Sequence, residues 1–144
     1  MAFSLLIIPI ESNASNSFFT YDTESATTEE YFKKIKVDVT LVSSNGCEVH
    51  IEGTLDVDIW AMEINGFEGT VTISGGAGCP NGSMTFNRVA NTADATISID
   101  SNTCGKVGDV QFAASSKFSS FISIVNEPQI RSAITNSINS SCAN

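Results

Sequence analysis

The sequence predicts an α+β fold: a long, twisted antiparallel β-meander sheet with a C-terminal amphipathic helix packed across it. Three observations predict it. Apolar and polar residues alternate with period two through successive segments between Tyr31 and Ala113. Turn signals separate those segments, among them the pairs Asn45-Gly46 and Asn65-Gly66, suited to tight hairpins. The period then changes to that of a helix, framed by Cys104 and Cys142.

The first strand carries Ile35, Val37, Val39 and Leu41 on one face and ends at a turn over Ser43–Gly46. In the second, Val49, Ile51, Leu55, Val57 and Ile59 share a face, and Gly53 holds the missing place, where the pattern allows a bulge. Glu48, His50, Glu52, Asp56 and Asp58 occupy its other face. Asn65-Gly66 is expected to turn the chain, and Thr70–Ser74 returns with Val71 and Ile73 inward. A glycine-rich loop from Gly75 to Gly82 contains Cys79. Further strands are expected at Ser83–Val89, Ala95–Asp100 (with Ile97 and Ile99) and Val110–Ala113. Six strands on short connections are antiparallel by default.

Two helical stripes follow: Phe118, Phe121, Ile122 and Val125, then Ile130, Ala133, Ile134 and Ile138. Pro128 lies between them and has no amide hydrogen to give a helix interior. Either one helix kinks there, or a short turn precedes a main helix capped by Asn126. A single helix from about Ser119 to Asn139 would span roughly 30 Å.

The 144 residues suit one domain with a real core. A net charge of −9 and a pI near 4.3 exclude nucleic acid as a partner, because phosphates call for a basic surface. Four cysteines allow three pairings. No C-x-x-C pair is present and His50 is the only histidine, so close-set zinc ligands are missing. Two disulfides and an extracellular setting are expected instead. Joining Cys47 to Cys79 and Cys104 to Cys142 keeps each bridge local.

Residues 1–14 read either as the end of a truncated secretory signal or as a first strand. Residues 15–30 read as a polar arm, and 31–144 as one domain or as a piece of a longer one. Asn13, Asn81 and Asn139 open glycosylation triplets, which count only in a secreted eukaryotic chain.

Little in the chain suggests catalysis. His50 alternates with Glu48 and Glu52 on a solvent face, where no partner geometry for acid–base work is implied. Asp56, Asp58 and Glu52 share that face, but strand spacing does not build the oxygen cage calcium prefers. The Gly75–Gly78 run lacks the lysine of a phosphate loop, and no serine lies in a G-x-S-x-G elbow. A non-enzymatic protein with no cofactor and no metal is expected.

The ending of the chain resembles a known family. The residues that carry the likeness are Cys104 through Phe112 (CGKVGDVQF), Ser116 through Phe121 (SKFSSF), and Ile130 through Cys142 (IRSAITNSINSSC). They resemble a segment of the bactericidal/permeability-increasing and lipopolysaccharide-binding proteins, related to the plasma lipid-transfer proteins. The likeness covers about the last 40 to 50 residues. It implies a Cys104–Cys142 bridge, a helix laid on a curved sheet, and an apolar tunnel between them. Acyl chains would then lie between Val57, Ile59, Ile97 and Ile99 on the sheet and Phe118, Phe121, Ile122, Ile130 and Ile134 on the helix. The expected partner is lipid or another apolar ligand, with transient membrane contact. Specificity for lipopolysaccharide is not implied, because this chain is acidic. The alternative expectation is a secreted β-rich interaction module with a solid core, meeting a basic protein through Glu52, Asp56 and Asp58.

Overall fold

A computed structural model describes residues 32–89 and 91–143. Contacts divide the chain after Phe32, and the architecture below is that of the second unit, Lys33–Asn144, with β1 beginning at Phe32. The signal or first strand expected over 1–14 and the arm expected over 15–30 lie outside the described residues.

Six strands form one sheet in sequence order: β1 (Phe32–Val42), β2 (Glu48–Asp58), β3 (Glu63–Ser74), β4 (Gly82–Asn87), β5 (Ala95–Asp100) and β6 (Asp109–Ala114). A short 3-10 turn at Ser116–Phe118 leads into α1 (Ser119–Val125) and α2 (Pro128–Ala143). The period-two residues bury one face. Val49, Ile51, Leu55, Val57, Ile64, Phe67, Val71, Ile73, Met84, Phe86, Ala95, Ile97, Val110 and Phe112 all lie in a single buried cluster. Phe67 meets Phe86 edge-on at 5.1 Å, and Phe86 meets Phe112 edge-on at 5.3 Å. These are favourable arrangements for aromatic quadrupoles.

Three details depart from the expected meander. The first concerns the β2–β3 hairpin, which turns at Ile59–Met62 and not at Asn65-Gly66. Asp58 ends the strand because its Oδ1 accepts hydrogen bonds from the Trp60 and Ala61 N–H groups at 2.9 and 3.2 Å. Met62 then takes a left-handed φ of 56°. The Asn-Gly pair instead sits within β3 at a register irregularity, where Gly66 faces Asp56 but Ile64 faces Val57. Asn65 is the extra residue of that bulge.

The second is at Gly53, where the bulge that the pattern allowed is absent and Gly53 pairs regularly with Gly69. A Cβ on Gly53 would come within 2.6 Å of both the Phe67 ring and the Glu68 carbonyl. The missing side chain makes room for Phe67.

The third is the β4–β5 pair, which is parallel and only two residues deep, Phe86 with Ala95 and Asn87 with Thr96. Parallel neighbours usually need a long crossover. Here the end of β4 lies beside the start of β5, so a short connection suffices. Asp94 shapes that connection: its Oδ2 accepts from the Thr85 N–H at 2.9 Å and the Thr85 hydroxyl at 3.1 Å. The Asp94 N–H donates back to Thr85 Oγ1 at 3.2 Å.

The helix is interrupted, as Pro128 requires. Asn126 does not cap α2 with its side chain. Its amide pairs with the β6 backbone, accepting from Phe112 N–H at 2.9 Å and donating to Phe112 O at 2.8 Å. Asn139 repeats the device at Val107, with bonds of 2.8 and 3.1 Å. The Asn126 amide thus occupies backbone groups that the edge strand β6 would otherwise offer to another chain, and Asn139 does the same for the loop leading into it. The Glu127 carboxylate reaches the turn between β1 and β2, accepting from Ser44 N–H and Oγ at 3.1 Å each.

Candidate functional site

Two apolar features stand out, the sheet–helix interior and the β2–β3 hairpin tip. In the interior, Val57, Ile97, Phe121, Ile130 and Ile134 are buried in the one core cluster. Ile99, Phe118 and Ile122 pack against it and are partly exposed. On α1 the buried residues are Phe121, Ile124 and Val125. Ile124 was missed by the sequence stripe, which was phased from Phe118, a residue of the 3-10 turn that precedes α1. On α2 the buried face is Ile130, Ile134, Thr135 and Ile138.

Ile59 does not join this cluster. It was expected on the inner face of the second strand, but that strand ends one residue earlier at the Asp58 turn. Ile59 therefore belongs to the tip, 40% exposed, beside Trp60 at 71% and Met62 at 42%. The tip is held firmly. Asp58 pins its backbone from below, and the Met62 carbonyl accepts from Cys104 N–H at 2.7 Å. Ile64 N–H donates to Asn102 O at 2.7 Å, and Arg88 Nη1 donates to Ile64 O at 2.6 Å. The loop carrying Cys104 thus fills the edge of β3 that the short β4 leaves open. Val57 and Ile64, paired at the base of the tip, are fully buried, so apolar side chains run from the core to the exposed Ile59 and Trp60.

Two disulfides frame this arrangement, Cys47–Cys79 and Cys104–Cys142, and no cysteine is free. The first joins the β1–β2 turn to the β3–β4 loop. The second joins the β5–β6 loop, beside the hairpin tip, to the end of α2.

The opposite face of the sheet is polar. His50 Nε2 lies 2.7 Å from Asp38 Oδ1. Lys36 lies 3.5 Å from Glu52, and Lys34 donates to Asp56 at 2.7 Å. The hydrogen bond from Lys34 to Asp56, then the Asp56 charge, raises the Lys34 ammonium above its ordinary value. Asp58 is occupied by the hairpin turn. The acidic row Glu52, Asp56 and Asp58 therefore has partners within the chain. Among the described residues, no cluster of three or more histidine, cysteine or carboxylate side chains could hold a metal ion. No described helix is long and apolar enough to cross a membrane. Comparison with protein-family models, curated proteins and solved structures gives no match.

Proposed function

We propose that this chain is a secreted, non-enzymatic lipid-binding or lipid-transfer domain that meets lipid through the β2–β3 tip. One observation carries the proposal: a rigidly held hairpin presents Ile59, Trp60 and Met62 to solvent at the end of an apolar core. Tryptophan suits a boundary between water and hydrocarbon, having an apolar ring and one polar N–H. The pinned backbone means little conformational entropy is lost when the tip is buried. The net charge of −9 favours zwitterionic over anionic lipid. Two disulfides belong with an oxidising, extracellular compartment.

Acyl chains would lie against the inner-face residues Val57, Ile97 and Ile99 and the helix residues Phe118, Phe121, Ile122, Ile130 and Ile134. Protein purified from a lipid-containing source, extracted and analysed by mass spectrometry, should yield bound lipid and should bind a fluorescent fatty acid. Lipid-free extracts together with no fatty-acid binding would sink the proposal.

A second reading is favoured by the burial of Val57, Ile97, Ile130 and Ile134 in the same cluster as the Phe67–Phe86–Phe112 contacts. On that reading the helices fill a solid core, and the protein is an extracellular interaction module without a lipid cavity. Interiors normally close-pack, so this is the simpler use of an apolar helix face.

A further inference from the structure

The outer face of the sheet carries a groove of about 620 Å³, separate from the apolar features above. That is the size of many small-molecule sites. Its floor is a short lattice of polar side chains. Glu52 pairs with Thr70, and Thr70 pairs with Thr85, which places the three in a row across β2, β3 and β4. Neighbouring members of such a row stand about 4.8 Å apart. Thr54 and Glu68, themselves paired, begin the next row. Asn87 continues the lining on β4, and Thr92 and Ala93 form a wall. The wall is fixed because Asp94, the next residue, is bonded three times to Thr85.

We propose that this groove binds a neutral oligosaccharide. Three features point to that chemistry. The hydroxyls of Thr54, Thr70 and Thr92 make no hydrogen bond among the described residues, and each can donate and accept, as sugar hydroxyls do. Asn87 lines the groove and its Oδ1 is buried with no partner, so turning that side chain outward would offer the acceptor to a ligand hydroxyl without breaking an internal bond to it. The lining has no net positive charge: Lys36 lies against Glu52, leaving the Glu68 carboxylate to accept charge-assisted bonds from ligand hydroxyls. A phosphorylated or sulfated ligand would meet that carboxylate with no unpaired cation opposite it. A peptide adding as a strand would need a free edge, and β2 and β3 are interior strands.

The test is a titration of the full chain, followed by amide NMR, with chitohexaose, cellohexaose, maltohexaose and mannohexaose at millimolar concentration. At least one should give saturable shifts at Gly53, Gly69, Thr70 and Phe86. Thr70→Val and Glu68→Gln should each weaken that binding about tenfold, the scale of losing one good hydrogen bond. The same spectra report whether each variant is folded. Absence of shifts with all four sugars, shifts confined to other surfaces, or full affinity in both folded variants would overturn the proposal. None of these readouts depends on lipid, so the lipid proposal stands or falls separately.

Discussion

Thr135 lies on the buried face of α2 with its hydroxyl unpartnered. Burying a hydroxyl without a hydrogen bond costs roughly 1–3 kcal/mol on mutational scales. Thr135→Val keeps the shape and removes the polar atom, and valine fits a helix about as well as threonine. The substitution should therefore stabilise the protein by about 1 kcal/mol, read as a raised midpoint in denaturant with an unchanged slope. Asp94 acts in the opposite sense. The Thr85 backbone N–H, then its hydroxyl, hold the Asp94 carboxyl below its ordinary value. A lowered folded-state pKa contributes stability that is fully present above the ordinary carboxylate value and is lost as pH falls through the folded one. Asp94→Ala should lower Tm at neutral pH. The difference from the parent should shrink as pH drops below the carboxylate range; a constant difference would contradict the clamp.

At the scale of elements, the helices are tied to the sheet by polar fasteners as well as by packing. Asn126 and Asn139 each satisfy one N–H and one carbonyl beside β6. Arg131 Nε adds a bond to Asp109 at 3.3 Å. The Cys104–Cys142 bridge then closes a loop across 38 positions, which the chain-entropy model values at about 4 kcal/mol. Replacing both cysteines by serine should produce a loss of that order in chemical denaturation, and unchanged melting would count against the bridge as a structural strap. The Asn139 amide is committed to Val107, so a glycan on its triplet would have to be carried on the one Nδ2 hydrogen that does not bond the Val107 carbonyl.

For the molecule as a whole, the strands were legible because one face is buried and the other wet, which writes period two into residues such as Val49, Ile51, Leu55 and Val57. The change of period at Ser116 was legible for the same reason. What escaped was decided by side-chain bonds to backbone, which leave no periodic trace. Asp58 takes the hairpin turn away from Asn65-Gly66, Asp94 folds the β4–β5 connection into a parallel step, and Asn126 ties to β6, where a helix cap was one of two expectations. Of the candidate lipid-facing residues, the buried ones were found by hydrophobicity. Ile59 lies one residue past the strand end and so on the exposed tip beside Trp60, not on the inner face. The outer groove had no sequence signal, since isolated threonines acquire meaning only once strand register sets them side by side.

The lipid proposal rests on that tip, and Trp60 is the only tryptophan in the chain, so its emission reports the tip alone. The decisive measurement is Trp60 fluorescence during titration with dioleoylphosphatidylcholine vesicles, repeated with Ile59→Ser and Met62→Ser. A blue shift that saturates with lipid and weakens in both variants is the predicted result. Emission unchanged at saturating vesicle, in a protein that remains folded, would contradict contact between the tip and lipid.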